Sequence, residues 1–450
     1  MELEYDLIVI GAGSGGLAAS EKAARYGARV AIAEHAKPGG ACVNYGCIPE
    51  RLLDYAAGFN RLEQVAASYG WQDCARVFDW ARFVQAKEQH IHHLNQVHLG
   101  HIQEAGIEFL HGHASFLDDH TISVADRPVT AKKILVAVGA KPIKPDIPGV
   151  EYAITWHELY HLPRQPQSIA IIGADPIGVK IAGSLNALGT RVTHIISEER
   201  ILPTVDAEVS QELQKRLINQ GVQFFNKTRV TAIEKTNEGL ALTCDGFSDP
   251  LMVETVLVDA PRVPNLDALN LDKANVQLTP SGAIRVDEFS RTSQENIFAI
   301  GDCTERIPLT PCAIAQGRSF AETEFGTQSR KGNLAWVPIS ISSHPEAATV
   351  GASEAEVRAQ YGDAAGCYRT EFRPLLYCLA KGEEKTFIKV VVNRQDQERV
   401  LGVHMVGDGA IEIVQSLAVA LKLGATKHDL DAAIGIHPSN GEELFSITGY

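Results

Sequence analysis

Two cysteines five residues apart, Cys42 and Cys47, stand in the segment GGACVNYGCIPERLLDYAA. Thiols so placed can do redox chemistry. They close a disulfide if the turn between them departs from regular helix, and a helix N-terminus lowers the pKa of a thiolate. Two buried apolar cysteines are the competing reading. A metal pair is disfavoured, because no second pair with ligand spacing exists. The other six of the eight cysteines are scattered over 450 residues, too thinly for a secreted disulfide scaffold.

The elements around the pair have a clear plan. Leu7–Ile10 is an apolar strand that runs into Gly11-Ala12-Gly13-Ser14-Gly15-Gly16, a helical stretch to Tyr26, and the strand RVAIAE ending at Glu34. Gly11, Gly13 and Gly16 permit a tight turn, close approach of backbone to a pyrophosphate and close helix packing, while Glu34 can accept hydrogen bonds from a ribose. The reading is a dinucleotide-binding βαβ unit. A second unit of the same plan opens at SIAIIG, Ser168 to Gly173, and closes on RVTHII at Ile196. KILVAVGAKP reads as a returning strand, PIKPDIPGV as a proline-rich boundary, and NIFAIGDC as a strand with Asp302 at its carboxyl end. From about Trp336 the pattern changes to strands of an antiparallel sheet, ISISSHPEAATVG, TFIKVVVN and RVLGVHMVG, followed by helices.

Composition bounds the rest. The length predicts two to four domains, and 45% apolar residues suffice to bury them. A net charge of -14 disfavours nucleic acid and anionic membrane as partners. No apolar run reaches the roughly eighteen residues of a spanning helix. MELEYDLIVIGAG enters a strand without the parts of a secretory leader, so the cytoplasm is the expected location.

Gly-Gly-Ala-Cys-Val-Asn-Tyr-Gly-Cys-Ile-Pro resembles the redox motif of the flavoprotein disulfide reductases, and within them most closely that of the glutathione reductases. The resemblance spans the chain: the first Gly-rich turn, Ala137-Val138-Gly139, Ala299-Ile300-Gly301-Asp302, Leu309-Thr310-Pro311, LAVALKLGATKHDLDAAIGIHP, and His437-Pro438-Ser439-Asn440-Gly441-Glu442-Glu443. It implies an α/β fold with two Rossmann-like FAD and NAD(P) domains and a C-terminal α+β dimerisation domain. The expected segments are 1–147, 148–264, 265–335 and 336–450, for FAD, NAD(P)-like, central and dimerisation domains. It implies FAD as cofactor, held by Gly11, Gly13, Gly16, Glu34, Gly139, Asp302 and Thr310 together with Cys42. A homodimer and a disulfide or dithiol substrate also follow from it. Cys47 would lie against the flavin and Cys42 would attack the substrate disulfide. His437, oriented by Glu442 and contributed by the other subunit, would be the acid and base, and a thiolate leaving near neutral pH suits a histidine donor.

The second turn departs from the family. Gly173-Ala174-Asp175-Pro176-Ile177-Gly178-Val179-Lys180 has Asp175 where glycine is usual and Lys180 where glutamate is usual. A carboxylate about 4 Å from a pyrophosphate costs on the order of 4 kcal/mol at an effective dielectric near 20. That is roughly a thousandfold in affinity. Twenty-one residues past Asp175 stands Ile196 instead of a ribose-binding acid, Ser197-Glu198-Glu199 follow with only Arg200 basic, Pro203 replaces a second arginine, and Gly-Arg-x-Pro reads Pro261-Arg262-Val263-Pro264. NAD(P) use is therefore expected to be weak or absent, with another electron donor or acceptor. The alternatives are a conventional NAD(P)H-dependent reductase of glutathione or a modified thiol, and a flavoprotein module without turnover.

The family's flavin-side ion pair has its charges exchanged here, Glu50 after Cys47-Ile48-Pro49 facing Lys180; two separately solvated charges are the competing reading. At the substrate end Arg318 matches an arginine that binds a glutathione carboxylate, whereas Glu21 falls where some of these enzymes carry arginine and His98 where they carry tyrosine. No metal site is expected, since His90, His92, His93, His98 and His101 scatter around a helix.

Overall fold

The computed structural model describes residues 3–72, 77–332, 334–382 and 384–447. They divide into two compact units: Met1–Pro49, Arg82–Ile143 and Pro261–Leu334 form one, and Glu50–Ala81, Lys144–Ala260 and Ala335–Tyr450 the other.

The first unit is built on the strand Tyr5–Ile10. It pairs in parallel with Val30–Glu34 on one side and Arg127–Val136 on the other, with Ile10 opposite both Ala33 and Val136. Glu108–His111 extends one edge, Ile297–Ala299 pairs in parallel with Arg127–Val136, and Thr121–Val124 and Ala114–Phe116 complete an antiparallel arm. These strands are near-continuous apolar runs because both faces are covered. Leu7, Val9, Ile32 and Leu135 face Leu17, Ala23 and Phe320, from the helices Ser14–Arg25 and Thr310–Phe325. Ile8, Ile10, Ala31 and Ile134 point the other way, onto Phe116, Ile122 and Val129, as a two-residue period requires.

Two sequence expectations change in detail. KILVAVGAKP is not one strand, because the strand ends at Val136 and Ala140–Pro142 pairs separately with Arg262–Pro264. NIFAIGDC stops as a strand at Ala299; Gly301, at φ +73°, turns the chain into a short 3-10 segment that carries Asp302.

In the second unit, Ser168–Ile172 lies between Arg191–Ile195 and Thr255–Val258, with Gln223–Phe225 at the edge, all parallel. The helix Pro176–Ala187 follows the central strand. An antiparallel sheet in the order Ile339–Ile341, Ala347–Gly351, Arg399–Val406, Thr386–Asn393, Ala365–Phe372 carries the helix Ala410–Leu423 on its apolar face. Lys389 of this sheet reaches Asp206 at 3.0 Å, Glu208 at 2.5 Å and Glu354 at 2.8 Å, so three carboxylates from the helix Ala207–Asn219 region and the helix Glu354–Tyr361 converge on one buried ammonium. No helix among the described residues is long and apolar enough to cross a membrane.

Candidate functional site

The first Gly-rich turn has the form of a phosphate cradle. Gly11 sits at φ +106°, and a Cβ there would stand 2.5 Å from the Ala137 carbonyl oxygen. A Cβ on Gly16 would stand 2.0 Å from the Gly11 carbonyl oxygen. Neither position admits a side chain, so the backbone of the turn can come close to a ligand only with glycine. Gly13 bridges to Gly39 of the segment that leads to Cys42. Glu34 is buried at the end of its strand and accepts Ala12 N–H at 2.9 Å and Ala36 N–H at 2.8 Å, one on each carboxylate oxygen. Oε1 also has His35 Nδ1 at 3.2 Å, while Oε2 keeps a lone pair for a ribose hydroxyl. Beyond Glu34 a cavity is lined by Gly11, Glu34, His35, His113, Val138 and Leu269, with the two histidine rings stacked at 4.2 Å. The cradle, the carboxylate and the aromatic-walled cavity fit the adenosine diphosphate half of FAD.

We expect Gly16→Ala to weaken FAD retention at least about fivefold, because the new methyl meets backbone that cannot move aside and such overpacking costs about 1–3 kcal/mol. Flavin absorbance per mole of purified chain measures it; full flavin content in the variant would contradict the cradle.

At the redox segment the helix is broken. Gly40–Asn44 ends at Tyr45, and a new helix, Cys47–Ala66, begins at Cys47. The departure from regular helix that a disulfide between these cysteines needs is therefore present, and Cys47 sits at a helix N-terminus, where the dipole favours a thiolate. Cys42 is half-buried and Cys47 exposed. The turn is held by two buried asparagines: Asn44 Nδ2 donates to the carbonyls of Gly40 at 2.9 Å and Pro38 at 3.2 Å, and Asn95 Nδ2 donates to Pro38 O at 2.8 Å and Asn44 Oδ1 at 3.1 Å. Thr310, first residue of its helix, has its hydroxyl 3.5 Å from Cys47 Sγ. Asp302 is paired with Arg262 Nη1 at 2.8 Å, and Arg262 also donates to Pro308 O. Burial pushes the Asp302 carboxyl up, and the guanidinium opposes that. Gly139, at φ +67°, has open space where a Cβ would project.

Also in the first unit, Glu21 acts electrostatically on His98: burial lowers the imidazole pKa and His101 lowers it further, while Glu21 pulls it back. Arg318 is exposed on the helix Thr310–Phe325. His90, His92, His93 and His101 are exposed on the helix Trp80–Glu104, and no group of three or more His, Cys, Asp or Glu among the described residues could hold a metal ion.

In the second unit His437 Nδ1 is 3.0 Å from Glu442 Oε2, and Glu442 also accepts the Ser439 N–H at 3.1 Å. The Ser439 N–H and then His437 lower the Glu442 pKa. A carboxylate can only accept, so Nδ1 carries the proton and Nε2 is left for proton transfer. His437 itself is 82% exposed. Lys180 Nζ stands 3.2 Å from Glu50 Oε1 with both side chains largely buried, and Ser342 Oγ donates to the same oxygen at 3.3 Å, so these are not two separately solvated charges.

Around the second turn, Asp175 is the exposed N-cap of the helix Pro176–Ala187. Ile196 is fully buried, and Arg200 donates to Pro203 O at 3.2 Å, tying its guanidinium to its own loop. Sequence reasoning missed Asp259, two residues before the PRVP segment: it is buried, and its Oδ2 accepts the Gly178 N–H at 2.8 Å. The signal was an acid closing the apolar strand TVLV. Asn44 and Asn95 were missed as well, and nothing in their spacing marks them.

Residues 5–317 match the family model described as pyridine nucleotide-disulphide oxidoreductase, and 337–446 match that family's dimerisation domain. The chain is 45% identical to a glutathione reductase of Nostoc sp. over 99% of the chain and 100% of that protein. It is 38% identical to one of Burkholderia cepacia over 99% and 98%, and 35% identical to the chloroplastic/mitochondrial enzyme of Pisum sativum over 99% and 82%. With a flavin cradle in one unit, a dimerisation domain in the other and full-length similarity to disulfide reductases, the chain belongs to the pyridine nucleotide-disulphide oxidoreductase family and is an FAD-dependent disulfide oxidoreductase.

Proposed function

We propose that this enzyme reduces or forms a low-molecular-weight disulfide of the glutathione class while using NAD(P)H weakly or not at all. The observation that carries the second half is Asp175, a carboxylate at the N-cap of the helix whose N-terminus would receive a dinucleotide pyrophosphate. Buried Ile196 in place of a ribose-binding acid and the engaged Arg200 support the same reading. The similarity to glutathione reductases supports the substrate class, and Arg318 is proposed to take a substrate carboxylate, with Glu21 and His98 altering the site from the usual one. The segments 1–147, 148–264, 265–335 and 336–450 are the proposed domains, and the dimerisation-domain match over 337–446 supports the last of them. A cytoplasmic location suits the chemistry, since thiol pools there are kept reduced.

When bound, FAD exchanges an electron pair with the cysteine pair. The chain's own residues then do the thiol chemistry. The Cys42 thiolate attacks one sulfur of the substrate disulfide, a mixed disulfide forms, and the substrate S–S bond breaks. His437 of the partner subunit, aligned by its Glu442, gives the departing thiolate a proton from Nε2. Cys47 then attacks Cys42 Sγ, the Cys42–Cys47 disulfide forms, and the second substrate thiolate leaves. The step converts one protein dithiol and one substrate disulfide into one protein disulfide and two thiols. Thr310, beside Cys47, and the Asp302–Arg262 pair belong to the proposed FAD site, and Glu50–Lys180 is proposed as the ion pair beside the flavin.

An anaerobic titration of the FAD-loaded protein with NADPH and NADH tests the nucleotide half. We expect no fast flavin bleaching at micromolar nucleotide, with dithionite reducing the same flavin fully. The full-length similarity favours a second reading, a conventional NAD(P)H-dependent reductase, and fast bleaching at micromolar NADPH would establish it instead.

A further inference from the structure

Asp259 follows directly on the strand Thr255–Val258 and keeps its backbone in register, its N–H donating to Ile172 O at 2.8 Å. Its side chain turns under the first turn of the neighbouring helix. Oδ2 accepts the Gly178 N–H at 2.8 Å, the Asp175 N–H is a further donor to the carboxylate, and Oδ1 is buried without a hydrogen-bond partner among the described residues. Backbone N–H groups at the start of the helix after a central parallel strand are the donors that a βαβ unit offers to phosphate. Here a carboxylate of the same chain has taken them.

The two retained glycines fit this occupant. A Cβ on Gly178 would stand 2.5 Å from Asp259 Oδ2, and one on Gly173, at φ +127°, 2.7 Å from the Asp259 carbonyl oxygen. The Gly173 approach is to backbone, as Gly11 approaches the Ala137 carbonyl in the first turn, but the Gly178 approach is to the Asp259 carboxylate itself, which distinguishes the second turn from the first. Burial pushes the Asp259 carboxyl well above its ordinary range, against the Gly178 N–H and against Lys180, while exposed Asp175 adds like charge. A group so placed holds the Gly178 N–H away from any phosphate, whatever its protonation.

We propose that Asp259 is an internal stand-in for phosphate that closes the second βαβ turn, and that it, more than Asp175, is the residue that excludes dinucleotides. The assignment rests on the reading that NAD(P)H binds weakly. Removing Asp175 alone leaves the donors occupied, whereas removing Asp259 frees them.

Equilibrium titration of full-length, FAD-loaded protein with NADPH and NADH tests it in the wild type, Asp175→Gly, Asp259→Ala and the double variant. Flavin absorbance and circular dichroism certify the fold. We expect Asp259→Ala to tighten binding of one nucleotide by at least about tenfold, 1.4 kcal/mol, and Asp175→Gly alone by less than about threefold. The double variant should be the tightest of the four. Should Asp259→Ala lose its flavin, Asp259→Ser, which keeps a polar atom at the buried position, is judged by the same tenfold criterion. Weak wild-type binding with the Asp259 variants within twofold of it overturns this assignment and leaves the reading beneath it standing. Micromolar wild-type binding overturns that reading, and this assignment with it.

Discussion

Cys42→Ser lowers disulfide reduction by about a thousandfold or more, while flavin content and fold stay unchanged. A serine hydroxyl is a far weaker nucleophile than a thiolate at neutral pH, and removing the attacking atom of a covalent mechanism characteristically costs factors of this size. The position tolerates the change: Cys42 is half-buried in a short helix whose geometry is set by Asn44 and Asn95, so swapping sulfur for oxygen leaves those hydrogen bonds intact. The measurement is made independent of any nucleotide. Protein reduced anaerobically with dithionite and freed of excess reductant is mixed with oxidised glutathione, and released thiol is followed over a single turnover. A variant within tenfold of wild type would remove Cys42 as the attacking residue. His437→Ala in the same assay should cost about a hundredfold or more, the scale of general acid catalysis.

Lys389→Ala destabilises the second unit by about 3–5 kcal/mol, the cost of leaving buried charge without its partner. Lys389 and Asp206 side chains are 2% and 1% exposed, and the ammonium also serves Glu208 and Glu354. Arg369, at 2.9 Å from Glu208 and 2.5 Å from Glu354, cannot replace it for Asp206. A buried aspartate is then left facing two further acids. The same cluster sets an acid limit. Burial alone would raise the Glu354 pKa, but hydrogen bonds from Lys389 and Arg358 outweigh it and hold the carboxyl at about 2 rather than 4.5. A folded-state pKa below the unfolded one means that Glu354 contributes its stability in full above about 4.5 and loses it as pH falls towards 2. Thermal unfolding of wild type and variant at pH 7 and near pH 3 measures both effects. An unchanged unfolding midpoint for Lys389→Ala at pH 7 would show that the cluster contributes nothing net.

Much of the candidate site was legible in the chain because its parts are local. The pair Cys42 and Cys47, the pattern Gly11, Gly13, Gly16 with Glu34, and His437 with Glu442 all lie within single supersecondary units, where spacing along the chain translates directly into geometry. The same holds for the strands Tyr5–Ile10 and Ser168–Ile172, whose unbroken apolar runs declare burial on both faces. Where the reading slipped, single glycines follow the break: Gly139 and Gly301, at positive φ, lie just beyond strands that end at Val136 and Ala299 and turn the chain that composition would have continued. Charge at the second turn was only half visible. Asp175 lies inside the motif, whereas Asp259, which takes the Gly178 N–H, is eighty-one residues further along the chain.

The amino-acid order by itself determined the two βαβ units, the antiparallel C-terminal sheet, the spacing of Cys42 and Cys47 and the exchange of charge between Glu50 and Lys180. Tertiary structure alone decided which donors meet which acceptors: that Asn95 steadies the cysteine turn, that Arg262 answers Asp302, and that Asp259 fills the donors of the second turn. The division has a physical reason. Backbone preference and apolar periodicity act over a few residues and are written in the chain, whereas a buried polar atom must find its partner wherever folding brings one, at any separation in sequence.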